Sequence, residues 1–363
     1  MKYFTIENAV ADFAYFTQNV ELPFTAGAKT MALPTMPWIV ASGSYPGALA
    51  AYVKHTYPNL FFAGYATSAP IQQVPPPHNC STDMKAVITH WDSQEQLELK
   101  SVFSFQNITH SVDAASALQL APWSWQLLGP TVGAHQEFFD FCDTLEVKDG
   151  VAVGPEGQGL EYALAQWGAW QLQTNLNYCR NSYAGDECWG TFDPNVAFYK
   201  DVSLTNTYCP WMQAVTDLSS SNDLAFWQDS NPTAPSIVSK QVNIAYWVHQ
   251  CPLWFPTENG ISIPKASQVN HVNALYDGWY MSEDHLLFVN GEFDPWQSGT
   301  VASELPTPQQ PMLMVKAGVH CLINSTAMGN PNTAIVFNHL VTQMVTWMKE
   351  WEASPTNPGH SHY

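Results

Sequence analysis

The chain has 363 residues, of which 46% are hydrophobic, so it is globular rather than disordered and too long for one simple core unless it carries an insertion. Its 12 lysines and arginines are outnumbered by 31 aspartates and glutamates, which gives a formal net charge of −19. A surface this acidic repels nucleic acid and anionic lipid, and it suits an acidic medium in which carboxylates lose part of their charge. We therefore expect no nucleic-acid partner. The sequence also has no run of 18 apolar residues, so we expect no membrane span.

Cysteines and glycosylation motifs indicate a protein outside the cytosol. The seven cysteines form no CxxC pair, which favours disulfide bonds of open connectivity over a zinc site; we expect no metal and no cofactor. Three sequons mark Asn79, Asn107 and Asn324 as candidate glycosylation sites. We therefore expect a secreted, extracellular or vacuolar glycoprotein whose signal peptide is absent from this chain. The cysteines are Cys80, Cys142, Cys179, Cys188, Cys209, Cys251 and Cys321.

The first predicted element is a helix over residues 6–20 that follows Thr5, a plausible N-cap residue. Its apolar positions recur at helical spacing, and they predict the face that packs on the rest of the molecule. These positions are Ile6, Val10, Phe13, Ala14 and Phe16.

The second predicted unit is a buried strand over residues 38–41, a tight turn at residues 42–44, and a helix that continues to Tyr52. A serine on a sharp strand-to-helix turn, with unpaired helix N–H groups behind it, is typical of the nucleophile elbow of α/β-hydrolases. The glycines stand at positions 43 and 47 rather than in the usual G-x-S-x-G order, so an ordinary strand–helix turn is the alternative. A further strand is predicted over residues 60–66, which implies a parallel sheet.

Helical patterns dominate the middle of the chain, and strand patterns return after it. Helices are predicted over residues 93–102, 113–120, 135–142 and 160–175. Most of the tryptophans in this part are expected in the core, and a few could line an apolar subsite. We expect a helical cap inserted over residues 71–271, and a catalytic core made of residues 1–70 and 272–363.

The carboxyl-terminal part adds two predicted strands, over residues 285–290 and 312–315, and a closing helix over residues 333–351. The helix has one apolar face, formed by Val336, Leu340, Met344 and Trp347.

A serine nucleophile needs a base and an acid, and the chain offers both after its late predicted strands. Asp294 follows the strand that ends at residue 290, and His320 follows the strand that ends at residue 315. The order serine, acid, histidine is the order of α/β-hydrolases, and the carboxyl ends of parallel strands share one edge of a sheet. Glu292 or Asp277 could supply the acid instead, and His320 could be a packed histidine.

The chain resembles the serine peptidase family that includes lysosomal Pro-Xaa carboxypeptidase and the fungal acid prolyl endopeptidases, and it is most similar to the fungal branch. The resemblance implies an α/β-hydrolase fold with a helical cap, and hydrolysis of peptide bonds after proline at acid pH. The matching stretches are residues 43–45 with 47–51, 66–70, 290–296 and 318–321, and, in the middle of the chain, residues 226–229, 235–239 and 246–256.

The resemblance implies a role for each matching residue. Ser44 is the nucleophile, His320 the base and Asp294 the orienting acid. The backbone N–H of Tyr45 supplies one oxyanion donor, and Trp296 walls the proline subsite. The partners implied are proline-containing peptides, whereas the oligomeric state and the choice between endo- and exopeptidase stay open.

Two departures from the family leave other hypotheses open. Only 43 residues precede Ser44, whereas relatives have well over a hundred; we therefore expect the sheet to be incomplete at its amino-terminal side, without one oxyanion donor. Residues 212–214 lack the acidic residue that relatives have soon after the cysteine at position 209. A lipase or esterase on the same fold, or a catalytically impaired fragment, are the alternatives to an active peptidase.

Overall fold

The protein is described by a computed structural model. The described residues are 5–22, 36–71, 82–93, 96–119, 121, 137–152, 154, 156–175, 185–195, 236–254, 269–294, 296–300, 310–320 and 330–353. They form two compact units, one chiefly from residues 77–125 and 134–266, the other chiefly from residues 2–76 and 267–363. Among the described residues, none of the helices combines the length and the hydropathy that a membrane crossing requires.

A four-stranded parallel sheet organises the second unit, and the fold class is α/β as the sequence predicts. The strands lie in the order β1-β2-β5-β6, and each neighbouring pair is parallel. Because all four strands run the same way, their carboxyl ends lie at one edge of the sheet. The strands are β1 (Trp38–Gly43), β2 (Phe61–Thr67), β5 (Leu286–Gly291) and β6 (Met312–Val315).

In the sequence, helices precede, connect and follow the strands of this sheet. β5 is buried along its whole length, as expected of a central strand covered on both faces. The closing helix buries Val336, Leu340 and Trp347 against apolar side chains of the sheet, and Met344 packs beside them as predicted. The helices of this unit are Ile6–Asn19, Ser44–Thr56, Val269–Leu275 and Pro331–Ala353, with 3₁₀ turns at Gly278–Tyr280 and Gln297–Gly299.

The first helix begins where the sequence predicts, but its buried face is narrower. Thr5 Oγ1 accepts a hydrogen bond from the backbone N–H of Asn8, which confirms the N-cap. Phe13 is 40% exposed, and Phe16 is 52% exposed although its ring lies 6.1 Å from the Trp38 ring, centroid to centroid. A spacing of three or four residues predicts a broad apolar stripe, whereas only its centre is covered. The buried residues of this helix are Ile6, Val10, Ala14 and Thr17.

The other unit is mostly helical and has its own apolar core. Trp91, Trp167 and Trp189 are fully buried there, as expected of most tryptophans in this part of the chain. Cys188 is disulfide-bonded, and the remaining cysteine pairings stay a prediction. The helices are Thr82–Ser93, Gln96–Val102, Ser111–Ala117, Glu137–Glu146, Leu160–Asn175, Asp186–Trp189, Ile244–Val248 and Cys251–Trp254.

One short hairpin in this unit was not predicted. β3 (Val147–Lys148) pairs antiparallel with β4 (Val151–Ala152) across Asp149 and Gly150. Both turn residues have positive φ, of 53° and 77°. An Asp-Gly pair between two strand-like segments is a strong hairpin signal, so the sequence did carry the information.

Candidate active site

Ser44 lies at an abrupt reversal between β1 and the helix Ser44–Thr56. The strand extends to Gly43, whose backbone is still extended, and the helix begins at the next residue. Ser44 makes the turn alone, with a φ of 57° that few non-glycine residues adopt. The predicted turn over residues 42–44 was therefore too long. A strained residue of this kind holds its side chain out at the end of the strand, in front of the helix N-terminus.

Gly47 lets this helix pack closely against the neighbouring strand end. A Cβ atom at this position would lie 3.0 Å from the carbonyl oxygen of Thr67, 3.1 Å from that of Ser42 and 3.2 Å from the Cβ of Ala69. Real Cβ atoms rarely have such close contacts, so a side chain here would push the helix away. The glycine thus fixes the distance between the Ser44 turn and the end of β2.

Asp294 and His320 follow the carboxyl ends of β5 and β6, at the same edge of the sheet as Ser44. The backbone N–H of Asp294 donates to the carbonyl of Gly291, 3.2 Å away, which closes a tight turn after β5. The backbone N–H of Phe293 donates to the carbonyl of Gly318 at 2.7 Å, so the two turns are directly bonded. Adjacent strands thereby deliver both side chains to one place.

The structure brings the three residues together in the order of a proton relay. His320 Nε2 lies 2.8 Å from Ser44 Oγ. His320 Nδ1 lies 3.0 Å from Asp294 Oδ1 and 3.2 Å from Asp294 Oδ2. Because an ionised carboxylate can only accept, the proton of the neutral imidazole sits on Nδ1, and Nε2 is left to accept the proton of the serine hydroxyl.

The Asp294 and His320 side chains are both buried. The Asp294 side chain is wholly inaccessible to solvent and the His320 side chain is 8% exposed. Asp294 Oδ1 also accepts a hydrogen bond from the backbone N–H of Trp296, at 2.9 Å. A buried carboxylate with two donors is held in one orientation, and the low dielectric around it strengthens its effect on the imidazole.

Two further predicted residues lie beside these three. Tyr45 is half-buried in the first turn of the helix, where backbone N–H groups point beyond the helix end. The Trp296 ring lies 6.2 Å from the His320 ring, centroid to centroid, with the two planes tilted by 49°. Both positions suit the roles that the resemblance implies.

The alternative acids lie elsewhere. The Glu292 side chain accepts a hydrogen bond at Oε2 from the backbone N–H of Ala317, at 2.7 Å, and is exposed. Asp277 is exposed and precedes a 3₁₀ turn, with a φ of 61°. Asp294 is the carboxylate that faces the ring of His320.

The predicted glycosylation sites fall partly within the described chain. Asn107 is exposed, and the hydroxyl of Thr109 in the same sequon donates to Asp186. Asn79 and Asn324 lie outside the described residues. In the described part of the chain, histidine, cysteine and carboxylate side chains form no group of three that could hold a metal ion.

Sequence reasoning missed a polar cluster in the helical unit. The fully buried Asp113 accepts from Thr191 Oγ1 at 2.5 Å, from the Thr191 backbone N–H at 3.1 Å and from the Tyr246 hydroxyl at 3.1 Å. His249 Nε2 lies 3.0 Å from the Thr191 carbonyl and therefore carries a proton. Burial raises the pKa of Asp113, and the Thr191 and Tyr246 hydrogen bonds and the nearby His110 offset part of that rise. The spacing of these residues in the sequence does not predict the cluster.

Comparisons with known proteins agree with the resemblance. The family profile "Serine carboxypeptidase S28" matches residues 1–115, which include Ser44. The chain is 29% identical to "Serine protease vicPa" of Bipolaris victoriae, over 88% of this chain and 66% of that protein. It is 22% identical to human "Lysosomal Pro-X carboxypeptidase", over 97% of this chain and 70% of that protein. It is also 22% identical to "Probable extracellular serine carboxypeptidase" of Arthroderma benhamiae, over 97% of this chain and 54% of that protein.

Proposed function

Because the chain is related to the S28 serine carboxypeptidases, we propose that it is a serine-type peptidase that cleaves peptide bonds after proline at acid pH. The observation that carries the proposal is the position of the His320 ring, between Ser44 Oγ at 2.8 Å and Asp294 Oδ1 at 3.0 Å. The chain spans only 66% of the two fungal serine proteases that it matches, so its activity rests on this geometry as well as on the relatives.

The proposed reaction has two stages. Ser44 Oγ attacks the scissile carbonyl while His320 Nε2 takes the hydroxyl proton, and a tetrahedral oxyanion forms. His320 then gives that proton to the leaving amine, which departs and leaves an acyl-enzyme. A water molecule, deprotonated by His320, then attacks the ester and forms a second oxyanion. Its collapse breaks the bond to Ser44 Oγ, which takes the proton back from His320, and the acid is released. Asp294 keeps the imidazole in the required tautomer and stabilises the imidazolium.

The oxyanion needs donors that stand ready before the reaction. Tyr45 directly follows the nucleophile, in the first turn of a helix of 13 residues. We assign its backbone N–H as one donor, and the partial positive charge of the helix N-terminus adds to it. Removal of a single oxyanion donor from a serine hydrolase costs about 10²–10³ in rate, so one donor is a large part of the proposed catalysis.

Proline preference is assigned to Trp296. A flat indole ring against a rigid pyrrolidine buries apolar surface at little cost in conformational entropy. The ring lies beside His320 and its backbone N–H is bonded to Asp294, so the wall of this subsite is tied to the proposed catalytic acid. Residues 71–271 are proposed as the helical cap domain, and residues 1–70 and 272–363 as the catalytic core.

The setting we propose is acidic and outside the cytosol. With a formal charge of −19, the folded chain repels itself less as its carboxylates protonate. One relative is described as extracellular and another as lysosomal. We also propose that the protein carries disulfide bonds and N-linked glycans. Within the described residues, the exposed Asn107 is the candidate glycan acceptor.

A substrate panel tests the proposed activity. The full chain of 363 residues is assayed from pH 3 to pH 8 against matched peptide amides with proline or alanine before the scissile bond, and against p-nitrophenyl esters. We expect faster cleavage after proline than after alanine, with the highest rate at acid pH. Ester hydrolysis without cleavage of any peptide would instead favour a lipase or esterase. If neither peptides nor esters were cleaved, the result would favour the hypothesis of a catalytically impaired fragment.

A further inference from the structure

The turn before His320 adopts a conformation that its sequence does not favour. The backbone N–H of Gly318 donates to the carbonyl of Val315 at 2.9 Å, which closes a four-residue turn. Ala317 occupies the third position of that turn with a φ of 52°. Glycine or asparagine is the usual residue there, because a Cβ atom in the left-handed region clashes with its own backbone. Something outside the turn must therefore hold it.

Side chains from outside the turn satisfy its backbone groups. Glu292 Oε2 accepts from the N–H of Ala317 at 2.7 Å. Asn330 Nδ2 donates to the carbonyl of Lys316 at 3.1 Å and to that of Ala317 at 3.0 Å. The Glu292 bond is the charge-assisted one, since its acceptor is a carboxylate, and such bonds are stronger than neutral ones.

Glu292 is also part of the turn that carries Asp294. Its own backbone N–H donates to the carbonyl of Val315 at 3.1 Å, which extends the pairing of β5 with β6 by one residue. A Cβ atom on the neighbouring Gly291 would lie 2.6 Å from the carbonyl oxygen of Val319, so the two turns are in backbone contact. Glu292 thus connects the turn that carries Asp294 to the turn that precedes His320, through both its main chain and its side chain.

We propose that Glu292 is a positioning residue for His320, and this rests on the proposed function. Its carboxylate holds Ala317 in the left-handed conformation, and that conformation sets the path of the chain to the imidazole three residues later. Without the carboxylate, the turn is expected to spend most of its time in conformations that suit alanine. The His320 ring then leaves the line between Ser44 and Asp294, while substrate contacts are unchanged.

The test is a double-mutant cycle between Glu292 and Ala317, read as kcat and KM for the best peptide substrate. Glu292→Ala is expected to lower kcat on the order of tenfold with little change in KM, because an alanine populates the left-handed region about tenfold less than its preferred conformations. Glu292→Gln, whose amide oxygen still accepts from the N–H of Ala317, is expected within about threefold of the wild type. In a background that carries Ala317→Gly, the same Glu292→Ala change is expected to cost less than threefold, because glycine adopts positive φ without strain.

Glu350→Ala is the matched control. Glu350 is also an exposed glutamate of this unit, and its carboxylate Oε2 lies 3.0 Å from His285 Nε2 at the amino-terminal end of β5. Its loss is expected to leave kcat unchanged. The positioning role would be overturned if Glu292→Ala and Glu350→Ala had equal kcat. It would also be overturned if Glu292→Ala lowered kcat by the same factor in the wild type and in the Ala317→Gly background. A wild-type chain that neither cleaves peptides nor reacts at Ser44 with a fluorophosphonate would overturn the proposed function, and with it the role that depends on it.

Discussion

His320 Nε2 lies 2.8 Å from Ser44 Oγ, although 276 positions of sequence separate the two residues. The parallel sheet explains this contact, because β1 and β6 end at the same edge and each is followed by a tight turn. Neither turn is relaxed: Ser44 has a φ of 57° and Ala317 a φ of 52°. Strain at both turns, paid for by packing and hydrogen bonds, is a common feature of sites in which side chains must be held in place.

The first prediction concerns Asp294. Asp294→Asn keeps the size of the side chain but offers the imidazole a choice of tautomers, so Nε2 is no longer reserved for the serine proton. We expect kcat to fall by about 10⁴ while the protein stays folded, as serine peptidases lose about that factor in this substitution. The measurement is kcat on the peptide substrate together with the thermal unfolding midpoint. A loss of less than tenfold would mean that Asp294 is not the group that orients His320.

The second prediction concerns the close packing at Gly47. Gly47→Ala introduces a Cβ atom about 3.0 Å from the Thr67 carbonyl oxygen, so the helix that begins at Ser44 must shift. We expect a loss of stability of about 1–3 kcal/mol, as for other overpacked sites, and a fall in kcat. Gly154→Ala is the control, because no atom lies within 4 Å of the added methyl group. Urea unfolding and kcat are measured on both variants, and equal behaviour would refute the packing argument.

The third prediction concerns substrate preference. If Trp296 walls a proline subsite, Trp296→Ala should lower kcat/KM for a prolyl substrate about tenfold more than for its alanyl counterpart. Trp296→Phe keeps a flat aromatic ring and should retain most of the preference. Both variants are compared with the wild type on the matched pair of peptides. A ratio of prolyl to alanyl kcat/KM that Trp296→Ala leaves unchanged would remove Trp296 from the subsite.

The fourth prediction concerns the pH dependence of stability through Asp113. Burial raises its pKa above the value of 3.8 that it has in the unfolded chain. Between these two pKa values the folded protein holds a proton that the unfolded chain has lost. The contribution of Asp113 to the free energy of unfolding is therefore full below pH 3.8 and falls as the pH rises through the folded pKa.

Asp113→Asn removes this titration and is the variant that tests it. The free energy of unfolding is measured in urea from pH 3.5 to pH 7 for both proteins. We expect the wild-type value minus the variant value to decrease as the pH rises, since the other titrating groups cancel in the difference. A difference that stays constant, or that grows with pH, would show that the pKa of Asp113 is not raised.

Periodicity and chain order predicted much of the fold. The strand Met312–Val315 and the helix Leu160–Asn175 have the bounds that the sequence indicates. Their signals are local: a short apolar run between breakers, and a long segment of strong helix formers. Ser44, Asp294 and His320 were predicted as site residues in the same way, because each follows a predicted strand and the chain order matches a known arrangement.

Other features depend on contacts that no local pattern encodes. The glycine of the Ala317 turn stands at position 318, whereas the positive φ falls on Ala317, so the residue type at that position does not mark the conformation. Side chains distant in sequence contact the turn, namely those of Glu292, Asn330 and Asn332. Asp113 and Thr191 are 78 positions apart and show no shared motif, yet they bond directly. Where tertiary contacts override the local preference, sequence reasoning fails, and this is expected at sites that hold strain or buried charge.

Covalent labelling measures the activation of Ser44 by His320 without the need for a known substrate. The full chain is treated with a fluorophosphonate at its optimum pH, and the modified residue is identified by mass spectrometry. We expect one adduct on Ser44, no adduct in Ser44→Ala, and labelling slowed by about 10³ in His320→Ala. Equal labelling of the wild type and Ser44→Ala, or undiminished labelling of His320→Ala, would contradict this activation.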